Sequence, residues 1–405
     1  MNNEYIYLIK IIKSVLKNEQ LEIDEAIDYE KLYTIAKDHS IENFLYYGLL
    51  KNPNFNKEKY NAFTMRVDKV YKESLFKVAV EGAEIEELEK AFETNKIKYM
   101  PLKGAIIRYL YPHIDLRSMA DFDCYFDKKE AKRIKKIMIN SGYSVESFNK
   151  SNHDVYYKKP YMNVEMHRDL MNDSYKISKY YKDIDSKLFL KPGTQFEYQM
   201  KNEDFLIFLI THSAKHFAYG GTGIRTFIDI YLFTQKYQEL DYNYIYQELD
   251  KLSLKKFAIS SIELANYWFN NGEESILISN FEESIFNSGT YGTKSNNASI
   301  HMFMNDETLN NLEKSKFKYF VCRLFPSVKM MNERNPITKK VPILLPWFYF
   351  TRLLKGLFHI KKTKEEIKEV DSISSESMKK LENLHDDLDM KGKIWKLKMI
   401  LCYVK

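Results

Sequence analysis

Residues 119–126 read MADFDCYF, and their alternation is the most regular in the sequence. The even-numbered positions are apolar, whereas Asp121 and Asp123 lie between them. Because successive side chains of a β-strand point to opposite faces, the pattern predicts a strand with one face on a hydrophobic core. Both aspartates share the other face, where hard oxygen ligands favour Mg²⁺ or Mn²⁺ as the counter-charge. Since most Asp-x-Asp pairs simply face water, the metal site depends on the features that follow.

Strand and helix patterns continue on both sides of this segment. Helical periodicity precedes it, short strands and one amphipathic helix surround it, and helices return from about residue 200. This order predicts an α+β fold, in which a small mixed-sheet core is flanked by helical regions. The predicted divisions are N-terminal helices at 1–95, the sheet core at 96–198, C-terminal helices at 199–360 and a charged tail at 361–405.

Individual segments carry more specific predictions. Strands are predicted at 97–103, 143–148, 154–158 and 161–170, and helices at 60–92, 105–111, 128–140, 205–217 and 227–237. The acidic stretch 81–89 is predicted to face solvent. Residues 288–297 are predicted as a surface loop, 341–362 as a buried helix with a basic end, and 361–391 as an exposed helix followed by a flexible stretch.

The turn Leu102-Lys-Gly-Ala105 joins a predicted strand to a predicted helix. Backbone N–H groups at such a helix start, together with the helix dipole, bind phosphate. Gly104 would let a phosphate approach the backbone closely, and Lys103 would add a positive charge. A Lys-Gly pair is by itself a weak sign, because surface turns often contain one. The sequence has neither G-x-G-x-x-G nor G-x-x-x-x-G-K-[ST], which argues against Rossmann-type and P-loop sites.

A third carboxylate lies on a later strand. In residues 161–170 apolar side chains alternate with polar ones, and Glu165 and His167 share the polar face. With Asp121 and Asp123, Glu165 completes the ligands of a two-metal phosphoryl-transfer site, as a metal ligand or a general base. The expected chemistry is in-line attack on the α-phosphorus of a nucleoside triphosphate, with pyrophosphate leaving.

Other polar positions have both functional and structural interpretations. Arg117 either clamps a phosphate oxygen or forms a salt bridge with a site carboxylate. His167 either contacts the nucleotide or orients Glu165 through a hydrogen bond. No set of Cys and His residues has the spacing of a structural zinc site, so we expect no zinc.

Two further pairs of residues in the predicted helical region have the i, i+4 spacing. His212 and His216 share a helix face, but no glutamate follows His212, so this is not the H-E-x-x-H zinc motif. Arg225 and Asp229 have the same spacing, and an ion pair on the helix surface explains them as well as a functional role.

Short motifs along the chain occur in an order that resembles a known family. They are Leu102-Lys-Gly104, Tyr111-Pro112, Arg117-x-x-x-Asp-x-Asp123, Gly142-Tyr143 and Glu165-x-His167. Together they resemble the bacterial uncharacterised nucleotidyltransferase family of the polymerase-β-like superfamily. The segment from His212 to Asp229 resembles the helical segment of that family, and Pro342 to Arg352 resembles its C-terminal stretch. The resemblance covers most of the chain from residue 96 to about 356 and, more loosely, the N-terminal helices.

The resemblance implies a nucleotidyltransferase core at 96–198. Within it, Asp121, Asp123 and Glu165 would bind Mg²⁺ or Mn²⁺ and act in catalysis. The implied nucleotide-binding residues are Lys103, Gly104, Arg117, His167, His216 and Arg225. The turn departs from the wider superfamily, which usually has Gly-Ser or Gly-Gly where this chain has Lys-Gly.

Composition and charge exclude several classes of protein. The 405 residues include 62 Lys and Arg against 56 Asp and Glu, and a net charge of +6 is too small to argue for duplex DNA binding. It permits a local basic groove for a polyphosphate or an RNA. Three widely spaced cysteines argue against a disulfide framework. With neither a signal-peptide pattern nor a membrane-spanning apolar run, we expect a soluble cytoplasmic protein.

These observations leave hypotheses of different classes. The first is a metal-dependent nucleotidyltransferase that uses a nucleoside triphosphate, with ATP as the expected donor. Its acceptor is a hydroxyl of a small molecule, a protein or an RNA end, among which the sequence does not choose. The alternative is a non-catalytic nucleotide-binding or toxin–antitoxin-type interaction protein with the same fold, and pyrophosphate release distinguishes the two. A third is an RNA-directed enzyme, which the sequence pI of about 8.7 favours.

Overall fold

The computed structural model describes residues 3–173, 175–218, 220–290, 292, 294–305, 311–335, 337–358 and 360–390. These residues confirm the α+β fold, because a five-stranded mixed sheet lies between helical regions. None of the helices within these residues is both long and apolar enough to cross a membrane. Cys124 is a buried free thiol, Cys322 is partly buried, and Cys402 lies outside the described residues.

The N-terminal helices confirm the predicted helical region. They are α1 (Asn3–Lys17), α2 (Tyr29–Asp38), α3 (Asn43–Leu45) and α4 (Asn61–Thr94). Asp28 begins α2, since its carboxylate accepts hydrogen bonds from the backbone N–H groups of Glu30 and Lys31. The prediction that residues 81–89 all face solvent is wrong for Glu81. That side chain is buried and forms ion pairs with Lys77 and with the buried Arg108.

The sheet region follows α4 in the predicted order. Its elements are β1 (Tyr99–Pro101), α5 (Gly104–Ile107), β2 (Phe122–Phe126), α6 (Ala131–Asn140), β3 (Ser144–Ser147), β4 (His153–Lys158), β5 (Met162–His167), β6 (Leu188–Leu190) and β7 (Tyr198–Met200). The strand order is β1-β2-β5-β4-β3, with β2 and β5 parallel and the other neighbours antiparallel.

One face of the sheet packs on α4 and α6, and the other carries polar side chains together with Tyr125, which belongs to the larger hydrophobic core. Phe122, Cys124, Val164 and Met166 are buried against α6 and the C-terminal half of α4. Because Asp123 and Glu165 alternate with these residues, both point to the opposite face. The hydrophobic core thus determines the direction of the two carboxylates.

The described residues after the sheet are mainly helical, and part of this region packs against the N-terminal helices. They are α7 (Asn202–Phe217), α8 (Ile224–Lys236), α9 (Tyr242–Lys251), α10 (Lys255–Phe269), α11 (Ile276–Phe286), α12 (Lys294–Asn305), α13 (Leu312–Leu324), α14 (Val328–Arg334), α15 (Ile337–Lys340), α16 (Leu345–Phe358), α17 (Ile360–Asp371) and α18 (Ser375–Asp387). Although the sequence predicts two separate helical regions, Phe44 and Phe63 share one core with Phe208 and Phe227.

Three predictions about the C-terminal half differ from the structure. The predicted loop at 288–297 is partly buried and helical, since Ser288 is 1% exposed and α12 begins at Lys294. The helix predicted as buried at 341–362 instead exposes Trp347 and Phe350. The predicted tail forms α17 and α18, with Met378 and Leu384 buried. Its last part, 391–405, lies outside the described residues.

Candidate active site

The three predicted metal carboxylates come together on the face of the sheet opposite α6. Asp123 in β2 is the register partner of Glu165 in the parallel strand β5. Asp121 lies just before β2 rather than inside it, because the observed strand begins at Phe122. One oxygen from each carboxylate lies within 4.8 Å of the others. The sheet therefore gathers acidic groups that are 44 residues apart in the sequence.

Asp123 is the most strongly paired of these carboxylates. Lys103 Nζ lies 2.9 Å from its Oδ2, and His167 Nε2 donates to its Oδ1 at 2.6 Å. Burial acts to raise the pKa of Asp123, but Lys103 and His167 hold it well below its usual range. The prediction that His167 orients Glu165 by a hydrogen bond is wrong, because the Glu165 Oε2 is 3.6 Å away. His167 orients Asp123 instead.

Asp121 and Glu165 have less positive charge around them. Burial and the neighbouring carboxylates raise the pKa of both groups. Both shifts come from like charges held close together away from water, and a bound cation would relieve them. An all-oxygen donor set of this kind fits a divalent cation such as Mg²⁺ or Mn²⁺.

The turn at Lys103 and Gly104 is more enclosed than the sequence predicts. A side chain at Gly104 would contact Met119 and Arg117 at 3.3–3.4 Å, so the glycine permits close packing within the protein. The N–H groups of Ala105 and Ile106 already donate to backbone carbonyls. Gly104 therefore offers a phosphate less room than the sequence predicts. Phosphate contact by Lys103 and Gly104 stays a prediction.

Arg117 forms a buried ion pair outside the carboxylate cluster. Its Nε and Nη2 donate to Asp229 at 2.8 and 2.9 Å, and the Tyr111 hydroxyl donates to the same carboxylate at 2.6 Å. Both predictions of an ion-pair partner are wrong: Arg117 does not pair with a site carboxylate, and Asp229 pairs with Arg117 rather than with Arg225. Arg225 donates to the Ser118 carbonyl at 3.1 Å. These contacts attach α8 to the loop that enters β2, and nucleotide contacts of both arginines stay predictions.

The end of α7 lies close to the carboxylates. His212 and His216 have their Nε2 atoms 3.2 Å apart, and burial followed by nearby lysine charges holds the pKa of each well below its ordinary value. Burial and then the Lys103 charge lower the pKa of Lys215 to about 8, while the three carboxylates oppose this shift. α7 therefore adds a lysine and two neutral imidazoles to the site, and nucleotide contact by His216 stays a prediction.

Replacing Lys215 with methionine is expected to stabilise the ligand-free protein by about 1–2 kcal/mol at pH 7. At that pH the Lys215 ammonium is charged in the folded state, so the free-energy cost of burying this charge is fully present. Above pH 8 the folded protein releases this proton, whereas the unfolded chain keeps it to about the model value of 10.5. The increase in the free energy of unfolding that Lys215→Met produces should therefore become smaller between pH 7 and pH 10, as measured by urea unfolding. Lys136→Met, at an exposed position on α6, is the matched control.

The sequence analysis missed His153. In the β4–β5 hairpin His153 is the register partner of His167, and its Nε2 lies 3.6 Å from Glu165 Oε2. Burial, followed by the nearby His167, lowers the pKa of His153 to about 4. The hairpin turn around Pro160 was the available signal, because a turn centred there places residue 153 opposite residue 167.

Comparison with known proteins agrees with this geometry. A family model described as an uncharacterised nucleotidyltransferase matches residues 25–270, from before α2 to the end of α10. No match was found among curated proteins or among solved structures. Because the matched residues make up more than half of the 405-residue sequence, the chain belongs to this uncharacterised nucleotidyltransferase family.

Proposed function

We propose that this protein is a metal-dependent nucleotidyltransferase, which transfers a nucleoside monophosphate from a nucleoside triphosphate to an acceptor hydroxyl. ATP is the expected donor, and pyrophosphate is the leaving group. The observation that carries the proposal is the approach of Asp121, Asp123 and Glu165 to within 4.8 Å across two parallel strands. Family membership supports the general reaction class.

The carboxylates supply the negative half of the site. Asp121, Asp123 and Glu165 would hold the cations, for which their oxygen donors are suited. When bound, such cations neutralise triphosphate charge and lower the pKa of an attacking hydroxyl. Glu165 is the better candidate for accepting the hydroxyl proton, because its pKa is raised while that of Asp123 is held low.

The lysines supply the positive half. Lys103 lies against Asp123, and Lys215 is near enough for Lys103 and the carboxylates to shift its pKa. In the proposed reaction the acceptor oxygen forms a bond to the α-phosphorus as the bond to the bridging oxygen breaks. The electron pair leaves with pyrophosphate, whose charge Lys103 and Lys215 would stabilise.

The test uses the full chain with Mg²⁺ or Mn²⁺ and each of the four nucleoside triphosphates labelled at the α-phosphate. Pyrophosphate release and transfer of label to the protein, to small hydroxyl compounds or to RNA are measured separately. We expect release that depends on the divalent cation. ATP binding without release across all acceptors would favour the non-catalytic alternative. Equal Mg²⁺-ATP affinity of the wild type and the Asp121→Asn, Asp123→Asn double variant would contradict the metal-site assignment.

A further inference from the structure

A second group of ligand atoms lies beside the carboxylate cluster. It consists of His153, Glu165 and His167, with one donor atom from each within 4.8 Å of the others. Each imidazole Nε2 is 3.6 Å from Glu165 Oε2. The antiparallel register pairs His153 with His167, so both rings lie on the same face of the sheet as Glu165. Two adjacent strands thus fix all three side chains.

The spacing suits coordination better than hydrogen bonding. A separation of 3.6 Å is too long for a hydrogen bond between imidazole and carboxylate. Ligands that bind zinc at about 2.0–2.2 Å in tetrahedral geometry lie about 3.3–3.5 Å from one another. In the described residues, His153 Nδ1 is buried and has no hydrogen-bond partner, so no hydrogen bond at that atom holds the ring in a purely structural role.

We propose that His153, Glu165 and His167 bind a transition metal ion of the Zn²⁺ or Co²⁺ class. Imidazole nitrogen suits these metals, whereas Mg²⁺ strongly prefers oxygen. This mixed nitrogen and oxygen site shares Glu165 with the all-oxygen group that contains Asp121. It departs from the expectation of no zinc, which considered only Cys and His residues and left out Glu165.

Coordination requires one rearrangement among the neighbours. His167 Nε2 donates to Asp123 at 2.6 Å, so metal binding exchanges that hydrogen bond for a bond from the nitrogen lone pair. The proton on Nε2 moves to Nδ1 of the same ring, which has no hydrogen-bond partner in the described residues, and Asp123 keeps its ion pair with Lys103. The site therefore stands on the geometry of the sheet, and it does not depend on the proposed nucleotidyl transfer.

Cobalt is a suitable probe, because its visible absorption reports the ligands directly. Metal-free full-length protein is titrated with Co²⁺ in excess Mg²⁺, and Zn²⁺ is then added as a competitor. We expect one Co²⁺ per chain with visible bands that Zn²⁺ removes. Loss of a residue that only hydrogen-bonds to a metal ligand weakens metal binding about 10–100-fold. Loss of a ligand itself should cost more, so His153→Gln should weaken Co²⁺ binding at least about a hundredfold.

Three further variants make the result decisive. His153→Cys should add a sulfur-to-cobalt charge-transfer band in the near ultraviolet, which only direct coordination at residue 153 produces. Asp121→Asn and His113→Gln, an exposed control, should keep the wild-type visible bands. Absence of Co²⁺ binding in excess Mg²⁺, or wild-type affinity in His153→Gln, would overturn the site. Failure of pyrophosphate release with Co²⁺ binding intact would contradict only the proposed function.

Discussion

Asp123→Asn is expected to lower the rate of pyrophosphate release at least about a thousandfold while the fold is kept. Asparagine has the shape of aspartate but lacks its charge, so it is a poor metal ligand. Its NH₂ group would also face either Lys103 or His167, which both now contact carboxylate oxygens. The loss should appear in the catalytic rate at saturating nucleotide. Circular dichroism and thermal unfolding check that the variant remains folded.

Asp127→Asn is the matched control for this variant. Asp127 follows β2 directly, and its carboxylate caps the next helical turn by accepting from the Lys129 N–H. Asparagine caps a helix about as well as aspartate does. Pyrophosphate release by Asp127→Asn should therefore stay within about twofold of wild type. An Asp123→Asn variant that kept a tenth or more of the wild-type rate would contradict the assignment of Asp123 as a catalytic metal ligand.

Local periodicity explains why the sheet and its carboxylates were predictable. The alternation in residues 119–126 reports a buried and an open face, and the same alternation recurs around Glu165. A buried strand face determines the direction of every second side chain, so the side chains of Asp123 and Glu165 follow from the core. The parallel pairing of β2 and β5 then sets the two carboxylates side by side. Here the sequence pattern and the tertiary structure agree.

Contacts between distant segments were not predictable in the same way. Helical spacing relates Asp229 to Arg225, yet the carboxylate binds Arg117, which is 112 residues earlier in the chain. Similarly, the acidic composition around Glu81 predicts a solvated face. The composition does not reveal that the buried Arg108 forms an ion pair with Glu81. Periodicity describes one element at a time. Ion pairs that join elements depend on how those elements pack.

Replacing Asp229 with alanine is expected to lower the free energy of unfolding by about 3–5 kcal/mol. The carboxylate and Arg117 are both buried, and the Tyr111 hydroxyl donates to the same oxygen. Alanine removes the charge that compensates the buried guanidinium and the acceptor of the phenol. Urea unfolding measures the change. Glu86→Ala, which breaks the exposed Lys90–Glu86 pair, should leave the free energy of unfolding close to the wild-type value.

A double-mutant cycle then separates the structural role of Arg117 from its predicted role in nucleotide binding. Because each single replacement leaves a buried partner behind, Arg117→Met with Asp229→Leu should be less destabilising than the sum of the two single changes. If the ion pair is the main role of Arg117, Arg117→Lys should lower the free energy of unfolding and change the KM for nucleotide little. Lysine lacks the geometry for a bidentate contact with Asp229. Unchanged stability in Asp229→Ala, together with a raised KM in Arg117→Lys, would instead show that Arg117 serves the nucleotide.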